Sequence, residues 1–550
     1  MDISKDKNAA GHYSVRQFFA NKINILCIPL VLYGIYFISG LLLHTVADAD
    51  IPNEYREAAN VLLTRVFIQG DNPYSLSSLK GELPGFIYLY GPLYSCITAV
   101  IASIIPIDIV LIHYIVTFIC MAASGIFAAL TVSRFSHSAA APVSAFLFLL
   151  VCHWRYGFVN AVPDSMALMF MMIILYVLTL DNFKYKPSLC AVLTLASFFT
   201  KQYFLLVAGT VFIYLFIYER KSAFKYVLDC AILAAALALI ITLTCPLFWT
   251  YTIYLAKGPG AGVAGHITKN GVKVTSGSYN LQQIMSIGGL FLFFFVVEAA
   301  GVIASIIRKK YTKADVLMLI HLGVSGICLV GYLGKNGGAW LSYYLELFIP
   351  ALVTGSVIML EKMTQLYLNA DPSGKKRKYI LAAVVVSYLL MTGFTIMRVE
   401  QRLPKTPMDD GDYLAWDKAQ SYVDGYSYGE EYLYPLLAYY GIVNDEYIYN
   451  SGQPFVVSEK FYNKYLESNT AQKYFPYARD IFVQHLDYRK EIISKVLNGE
   501  YSLVTYIPDY EADEVFTAKD LEHKYTLSET LTLRTGRQLW DVQFWVLKQG

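Results

Sequence analysis

Residues 85–106, GFIYLYGPLYSCITAVIASIIP, decide how the chain is threaded. The stretch is apolar and long enough to span a bilayer, which takes about 20 helical residues. Gly91-Pro92 interrupts it, however, and neither residue favours the interior of a helix. If the stretch crosses a membrane, every later segment lies on the opposite side from the one it would otherwise occupy. The rest of the sequence therefore has to decide between a crossing and a segment that dips in and returns.

The composition indicates an integral membrane protein. Of 550 residues, 56% are hydrophobic and only 16% are charged, and the mean hydropathy is +0.44. Soluble domains carry about 25% charged residues. The small net charge of +2 argues against a nucleic-acid partner. All eight cysteines lie in or at the edge of apolar runs, so the sequence predicts neither a disulfide framework nor a paired-cysteine metal site.

Apolar runs recur through the first 400 residues. The first, residues 23–43, follows four scattered cations and is longer than a signal-peptide core, so we interpret it as an uncleaved first helix. Residues 188–218 are too long for one span and carry Lys201-Gln202 in their middle, which favours two short spans. The other runs are 108–132, 139–154, 162–180, 227–247, 284–307, 316–333, 345–360 and 379–397.

The distribution of basic residues favours one threading, because cytoplasmic loops carry an excess of lysine and arginine. If residues 188–218 form two spans and residues 85–106 do not cross, Arg134, Lys184, Lys186 and the runs ERKSAFK, RKKYTK and KKRK all lie in the cytoplasm. A crossing at 85–106 would place every basic cluster from Lys184 onward outside. We therefore predict about eleven transmembrane helices in the plasma (inner) membrane, a re-entrant segment, a cytoplasmic N-terminus and an extracytoplasmic C-terminus.

After residue 397 the composition changes abruptly. Residues 398–550 are polar and rich in tyrosine, and alternating stretches such as EYIYNSGQPFVV and YSLVTYI occur among helical ones. We predict a mainly α-helical transmembrane domain over residues 1–397 and a soluble α+β domain over residues 398–550, outside the cytoplasm. The second domain has no cysteine and no recognisable catalytic signature, so a stabilising cap and an acceptor-binding unit both stay open.

The first outer loop, residues 44–84, combines acidic residues with an amphipathic helix. Asp48, Asp50, Glu54 and Glu57 lie in it, and apolar residues recur at helical spacing from Glu54 onward. The apolar face comprises Tyr55, Ala58, Ala59, Leu62, Leu63 and Val66. We expect such an interfacial helix to lie in the membrane plane with this face in the lipid, which places the acids at headgroup level. An acidic turn that only favours the helix dipole is the alternative.

Other outer connections carry charged residues at the same level. Asp164 begins a spanning helix, where capping alone is the alternative role, and Arg155 lies in the connection before it. Lys201 lies at the tip between two apolar arms, and an ionised group at membrane depth costs about 2.5–3.5 kcal/mol. Snorkelling to the interface is the alternative explanation for Lys201.

Two later loops complete the outer face. KNGGAWLSYYLELF places Lys335, Tyr343 and Tyr344 at the lip of a helix, and a glycine-rich loop, residues 256–280, carries His266. A mobile lid and a disordered connection account equally well for that loop. Together the outer loops predict one pocket at the membrane surface with carboxylates and several cations, which suits a lipid-linked phosphate.

Five short motifs follow one another along these segments. They are G-x-N-P-Y at 70–74, Y-x-Y-G-P-L-Y at 88–94, P-D-S at 163–165, T-K-Q at 200–202 and K-N-G-G-A-W-L-S-Y-Y-L-E at 335–346. In this order they resemble the GT-C superfamily of membrane glycosyltransferases, close to the bacterial family 39 and family 87 type. The resemblance covers most of residues 23–400 and does not extend to the C-terminal domain.

The resemblance implies an activity. Members of the superfamily transfer a sugar from a polyprenyl-phosphate donor to an acceptor on the outer face, so an envelope glycan, lipid or protein is the expected acceptor. Neither a cofactor nor a metal is expected. Glu54 lies nearest the position of the family's essential carboxylate, although Asn53 replaces the aspartate of the usual pair. We therefore expect Glu54 as the catalytic base, with Asp50 second and Asp48 a weaker third.

The resemblance also implies a set of binding residues. Asp164 matches the family's second acidic position and Lys201 its lysine after the hairpin. The expected substrate-binding residues are Asp48, Tyr55, Arg56, Tyr74, Tyr90, Arg155, Asp164, Lys201, Gln202, His266, Lys335, Tyr343 and Tyr344.

Other functional classes stay open at this point. A transporter or flippase for lipid-linked glycans or small molecules would use inverted repeats and charges deep in the membrane. The sequence contains no visible repeat, and Glu298 is a lone acid near the middle of a span. A polymerase or ligase acting on lipid-linked glycans and an inactive homologue serving as a receptor are further alternatives.

Overall fold

The computed structural model describes most of the chain. The described residues are 22–47, 51, 55–81, 87–136, 138–156, 161–257, 268–269, 272–273, 293–307, 311–333, 346–371, 374–400, 408–427, 429–433, 437, 457–508, 516–535 and 538–548.

Up to residue 400 the described part is almost entirely helical. Its helices are α1 (Ile28–Ala47), α2 (Tyr55–Ile68), α3 (Leu93–Ala102), α4 (Ile109–Ser133), α5 (Ala140–Tyr156), α6 (Asp164–Thr179), α7 (Lys186–Thr200), α8 (Val207–Tyr218), α9 (Arg220–Thr244), α10 (Phe293–Ile307), α11 (Lys313–Leu333), α12 (Ile349–Leu368) and α13 (Lys375–Glu400). Short 3-10 helices at Lys22–Cys27, Leu76–Leu79, Gln202–Leu206 and Leu255–Lys257 and a π-helical turn at Thr250–Tyr254 connect or extend them. A two-stranded ladder pairs β1 (Thr268–Lys269) with β2 (Val272–Lys273).

Four segments within these helices are long and apolar enough to cross a membrane. They are Asn24–Leu42, Ile109–Ser133, Arg220–Thr244 and Lys375–Met397. Shorter apolar helices, among them α5, α6, α7 and α10, lie between them. The chain is therefore a mainly helical, polytopic membrane protein, as predicted, and the number of eleven spans stays a prediction.

The interruption in residues 85–106 is present in the structure. Helix α3 begins only after Pro92 and ends at Ala102. Its 10 residues measure about 15 Å along the axis, which is half the thickness of a bilayer core. A new helix, α4, then starts behind Asp108, whose carboxylate accepts hydrogen bonds from the amides of Val110 and Leu111. Helix α3 is thus too short to cross by itself, and the re-entrant path of residues 85–106 stays a prediction.

The break in residues 188–218 also lies where the sequence predicts it. Helix α7 ends at Thr200, and Lys201 has an extended backbone with φ −154° and ψ 120°. A 3-10 turn follows before α8 begins at Val207. Two short apolar arms therefore meet at Lys201-Gln202, and the lysine belongs to the tip between them.

The described residues after residue 400 contain both helices and strands, and the predicted α+β domain stays a prediction. The helices are α14 (Asp410–Val423), α15 (Glu459–Leu466), α16 (Asn469–Tyr474), α17 (Ala478–Asn498) and α18 (Ala518–Leu521), and the strands are β3 (Glu431–Tyr432), β4 (Leu503–Tyr506), β5 (Tyr525–Thr535) and β6 (Gln538–Leu547). The sheet order is β3-β4-β6-β5, parallel only between β3 and β4. The predicted strand in YSLVTYI is β4, whereas EYIYNSGQPFVV lies almost entirely outside the described residues.

Both faces of this sheet are covered. Side chains alternate along a strand, so Leu503 and Phe544 pack in one apolar cluster while Val504 and Trp545 pack in another. The cluster with Val504 and Trp545 is formed only by residues after residue 400, and the boundary at residue 398 stays a prediction.

Aromatic rings join this part to the membrane helices. Tyr254, in the π-helical turn after α9, stacks on Phe461 at 5.2 Å and on Phe475 at 5.0 Å between ring centroids. Ile51, from the first outer loop, is buried with Trp416 in one of the cores beside the sheet. The connections that follow α1 and α9 therefore pack on the part after residue 400.

Candidate active site

An ion pair buried at the tip between α7 and α8 is the centre of the candidate site. The Lys201 Nζ donates to Oδ1 of Asp164, the first residue of α6, and the two side chains are 1% and 3% exposed. The ammonium lies 5.1 Å from the ring centroid of Tyr90 and 5.0 Å from that of Tyr203. Because Lys201 is enclosed by a carboxylate and two aromatic faces, it does not snorkel to an exposed position, and that alternative is wrong.

The predicted re-entrant segment contacts this tip through Gln202, the residue after Lys201. Gln202 Nε2 donates to the carbonyl oxygens of Leu89 and Thr252. Gly91 lies so close to α7 that a Cβ atom at this position would overlap the carbonyl of Phe199. The motifs Y-x-Y-G-P-L-Y and T-K-Q therefore meet in space, and glycine is required where they meet.

Tyr203 also forms a hydrogen bond to the ion pair. Its hydroxyl donates to Asp164 Oδ1 at 3.3 Å, so this carboxylate oxygen accepts from both Lys201 and Tyr203. Helix α6 begins at Asp164, and the positive end of its dipole also favours a negative charge there. Desolvation of a buried carboxylate is costly, and these contacts offset it.

The interfacial helix lies differently from the prediction. Ala58, Ala59, Leu62 and Leu63 of α2 are buried in a protein cluster with residues of α1, α4 and α5, such as Phe37. The expectation that this face lies in the lipid is therefore wrong. The reason is that neighbouring helices occupy the space which the prediction assigned to acyl chains.

The polar face of α2 is buried as well. Glu57 Oε1 accepts a hydrogen bond from the amide of Ala161 at 3.1 Å, and Asn60 Nδ2 donates to the carbonyl of Ala161 at 2.6 Å. Tyr88 donates to Asn60 Oδ1, and Thr64 Oγ1 shares a hydrogen bond of 2.9 Å with His113 Nε2. From the sequence, Asn60 has no predicted role. The signal that was available is the spacing of three polar residues by three and four positions within an otherwise apolar helix.

The G-x-N-P-Y motif forms a turn at the end of α2. Gly70 has a positive φ of 82°, and Asn72 Oδ1 accepts from the amide of Tyr74 at 3.0 Å. Asn72 Nδ2 donates to the carbonyl of Thr244 at 2.9 Å, which ties the turn to the end of α9. The motif thus has a structural role in connecting the first outer loop to a later helix.

Tyr74 lies within an apolar cluster that the C-terminal part helps to form. Its ring contacts those of Phe248 and Tyr251 at 5.4 and 6.1 Å between centroids, and Phe482 belongs to the same cluster. Burial raises the pKa of Tyr74 well above its usual range, so the phenol is neutral. Of the expected binding residues, the structure gathers Tyr90, Asp164, Lys201 and Gln202, and it places Tyr74 in this separate cluster.

Several predicted site residues fall outside the described part of the chain. They are Asp48, Asp50, Glu54, His266, Lys335, Tyr343 and Tyr344. Tyr55, Arg56 and Arg155 lie within α2 and α5, but their side chains are outside the description. The identity of the catalytic carboxylate therefore stays a prediction.

Glu298 lies in α10, apart from the pair. It is 1% exposed, and its carboxylate has no hydrogen-bond partner among the residues that the structure describes. Its side chain packs against Gly355 of α12, where a Cβ atom would overlap the carboxylate. This single acid is the group on which the transporter alternative depends.

Comparison with known proteins gives the fold. No family model and no curated protein sequence matches the chain. The apo crystal structure of the oligosaccharyltransferase from Archaeoglobus fulgidus is similar, with a TM-score of 0.50 and 12% identity over 95% of this chain and 74% of that chain. The chain has the GT-C fold.

Further GT-C structures give slightly lower scores. ArnT from Cupriavidus metallidurans, bound to undecaprenyl phosphate, has a TM-score of 0.48 and 12% identity over 93% of this chain and 97% of that chain. AglB from Archaeoglobus fulgidus, in complex with an inhibitory peptide and a dolichol-phosphate, has a TM-score of 0.47 and 14% identity over 97% and 75%.

Proposed function

We propose that this chain is a membrane glycosyltransferase that moves a sugar from a polyprenyl-phosphate donor to an envelope glycan, lipid or protein on the outer face. The observation that carries the proposal is the buried Asp164–Lys201 pair, covered by Tyr90 of the re-entrant segment. A buried cation beside a membrane-embedded turn suits a lipid-linked phosphate. The similar fold of an oligosaccharyltransferase supports the class.

The reaction in this proposal is a single displacement with inversion. The acceptor hydroxyl oxygen bonds to the anomeric carbon while the bond from that carbon to the phosphate oxygen breaks. Glu54, or Asp50 in second place, accepts the hydroxyl proton as general base. Since a phosphate leaves as an anion, no general acid is required, in contrast with the carboxylate pair of a glycosidase.

Lys201 stabilises the leaving phosphate in this scheme. Its ammonium carries three N–H donors, so a bond to Asp164 is compatible with a bond to a phosphate oxygen. Because the side chain is 1% exposed, the phosphate reaches it in this scheme by displacing one of the two rings beside it, Tyr90 or Tyr203. Removal of one preorganised donor of this kind typically lowers the rate about 100-fold to 1,000-fold.

The C-terminal part selects the acceptor in this proposal. It packs beside the outer loops through the stack of Tyr254 between Phe461 and Phe475. A soluble α+β domain at this position reaches an acceptor outside the cytoplasm while the lipid-linked donor stays in the membrane. The predicted cytoplasmic N-terminus and extracytoplasmic C-terminus belong to the same proposal.

The test is sugar transfer by the purified protein and two lysine variants. Polyprenyl-phosphate sugars carrying a radiolabel are incubated with wild type, Lys201→Met or Lys186→Met, together with a membrane lipid extract. Lys186 is a matched control, because it is also buried and pairs with Glu219 at 2.5 Å at the opposite end of α7. We expect transfer by wild type and Lys186→Met and a loss of at least about 100-fold in Lys201→Met.

Two outcomes would count against the proposal. Equal transfer by wild type and Lys201→Met would remove Lys201 from the chemistry. No transfer from any donor by folded wild type, together with flux of a lipid-linked glycan that Glu298→Gln abolishes, would favour the transporter alternative.

A further inference from the structure

The segment before α6 is held to α2 through both backbone groups of one residue. The amide of Ala161 donates to Glu57 Oε1 at 3.1 Å, and its carbonyl accepts from Asn60 Nδ2 at 2.6 Å. Glu57, Asn60 and Ala161 are all fully buried. A buried backbone group that loses its partner is costly, so the two side chains fix Ala161 in one position.

We call these two hydrogen bonds, from Glu57 and Asn60 to Ala161, the clamp. It is one link in a ring of contacts around the ion pair. From Ala161 the chain runs to Asp164, which bonds Lys201. Gln202 then donates to the carbonyl of Leu89, and Tyr88, next to it in the chain, donates to Asn60 Oδ1. Helix α2, the start of α6, the α7–α8 tip and the re-entrant segment are therefore connected in a ring, and Asn60 contacts two of the other members.

The clamp is also close in the chain to two candidate site residues. Glu54 precedes Glu57 by three residues, and Asp164 follows Ala161 by three. The contact between Glu57 and Ala161 therefore connects helix α2 to the short stretch of chain that leads to the Asp164–Lys201 pair.

We propose that Glu57 and Asn60 are positioning residues, which hold Ala161 and thereby fix the position of the Asp164–Lys201 pair. The inference rests on the proposed glycosyltransferase function for its kinetic consequence, and on the structure alone for the clamp. Displacement of a reacting group by about 1 Å costs on the order of 100-fold in rate. Glu57 and Asn60 contact neither sugar nor phosphate in this proposal.

The kinetic experiment compares Glu57→Ala, Glu57→Gln, Asn60→Asp and Thr64→Val. Thr64→Val is the matched control, because Thr64 is buried on the same face of α2 and bonds His113 instead of Ala161. We expect Glu57→Ala to lower kcat about 30-fold to 100-fold with KM for the donor within threefold of wild type. Glu57→Gln keeps an oxygen acceptor for the Ala161 amide and should restore most of kcat, whereas Asn60→Asp loses the donor to the Ala161 carbonyl and should not.

A structural role would give a different pattern. If Thr64→Val lowers both Tm and kcat as much as Glu57→Ala does, the loss of activity follows stability and the positioning role is refuted. The same holds if Glu57→Ala is as active as wild type.

Hydrogen exchange tests the clamp without any activity. The amide of Ala161 should exchange faster in Glu57→Ala than in wild type, and the Glu57→Gln and Thr64→Val proteins should resemble wild type at this amide. Unchanged exchange in Glu57→Ala would overturn the clamp. If exchange responds as expected but wild type transfers no sugar, the proposed function fails and the clamp stands as a structural contact.

Discussion

Replacing Asp164 by asparagine tests whether the buried pair is an energetic unit. The substitution keeps an oxygen that accepts from Tyr203 and removes the charge that Lys201 requires. Removing one partner of a buried ion pair lowers the free energy of unfolding by about 3–5 kcal/mol, because the remaining charge stays buried without a partner. Since the rings of Tyr90 and Tyr203 still attract the Lys201 ammonium, we expect Asp164→Asn to lose stability at the lower end of this range, about 3 kcal/mol.

The double variant Asp164→Asn/Lys201→Met removes both charges. Replacing both members of a buried ion pair by uncharged residues often changes stability little. We therefore expect the free energy of unfolding of the double variant to lie within about 1–2 kcal/mol of the wild-type value. Lys201→Met alone leaves the carboxylate buried and should cost about as much as Asp164→Asn. The sum of the single effects should thus exceed the effect of the double variant by at least about 2 kcal/mol.

The assay is unfolding of the purified protein in mixed micelles, followed by tryptophan fluorescence, with sugar transfer measured on the same preparations. Stability and activity should separate, because the double variant regains stability and stays inactive without the Lys201 charge. Additive losses of stability would show that the two side chains do not act as a pair. Transfer by the stable double variant would show that Lys201 is dispensable.

Three further predictions concern the surroundings of the pair and the C-terminal part. Gly91→Ala should lower the free energy of unfolding by more than ordinary overpacking does, which is about 1–3 kcal/mol, because the new methyl group overlaps the backbone of Phe199. Thermal unfolding and expression yield measure this loss of stability. Tyr254→Ala should weaken the attachment of the C-terminal part by about 1–3 kcal/mol through the loss of two stacked rings, and limited proteolysis measures faster release. The Lys418 ammonium holds the pKa of Glu529 below its ordinary 4.5, so stability from this contact is present above pH 4.5 and is lost as the pH falls through the lowered pKa. Acid titration of Tm should therefore be flatter in Glu529→Gln, and an identical profile would refute the assignment.

The positions where helices begin and break could be predicted because local chemistry decides them. Pro92 and Lys201 interrupt apolar runs, and Asp164 opens a helix, and in each case the structure agrees. The sequence predicts that Asp164 and Lys201 share one pocket, and the structure adds that they form an ion pair. Their burial was not predicted, since the sequence does not reveal that Tyr90 covers the lysine.

The environment of α2 could not be predicted for a physical reason. Periodicity shows that a helix has two faces but does not show what each face contacts. The partner of Glu57 and Asn60 is the backbone of Ala161, about a hundred positions away, and a backbone group leaves no complementary residue type in the sequence. Interfacial burial in lipid and burial against other helices therefore produce the same pattern.

Transfer of sugar from a lipid-linked donor by wild type, Glu54→Gln and Asp50→Asn tests the central claim most directly. Each purified protein is incubated with radiolabelled polyprenyl-phosphate sugars and a membrane lipid extract, and the label in the product is counted. The account predicts transfer by wild type and its loss in one carboxylate variant that remains folded, Glu54→Gln first. Absence of transfer from every donor by folded wild type would contradict the account.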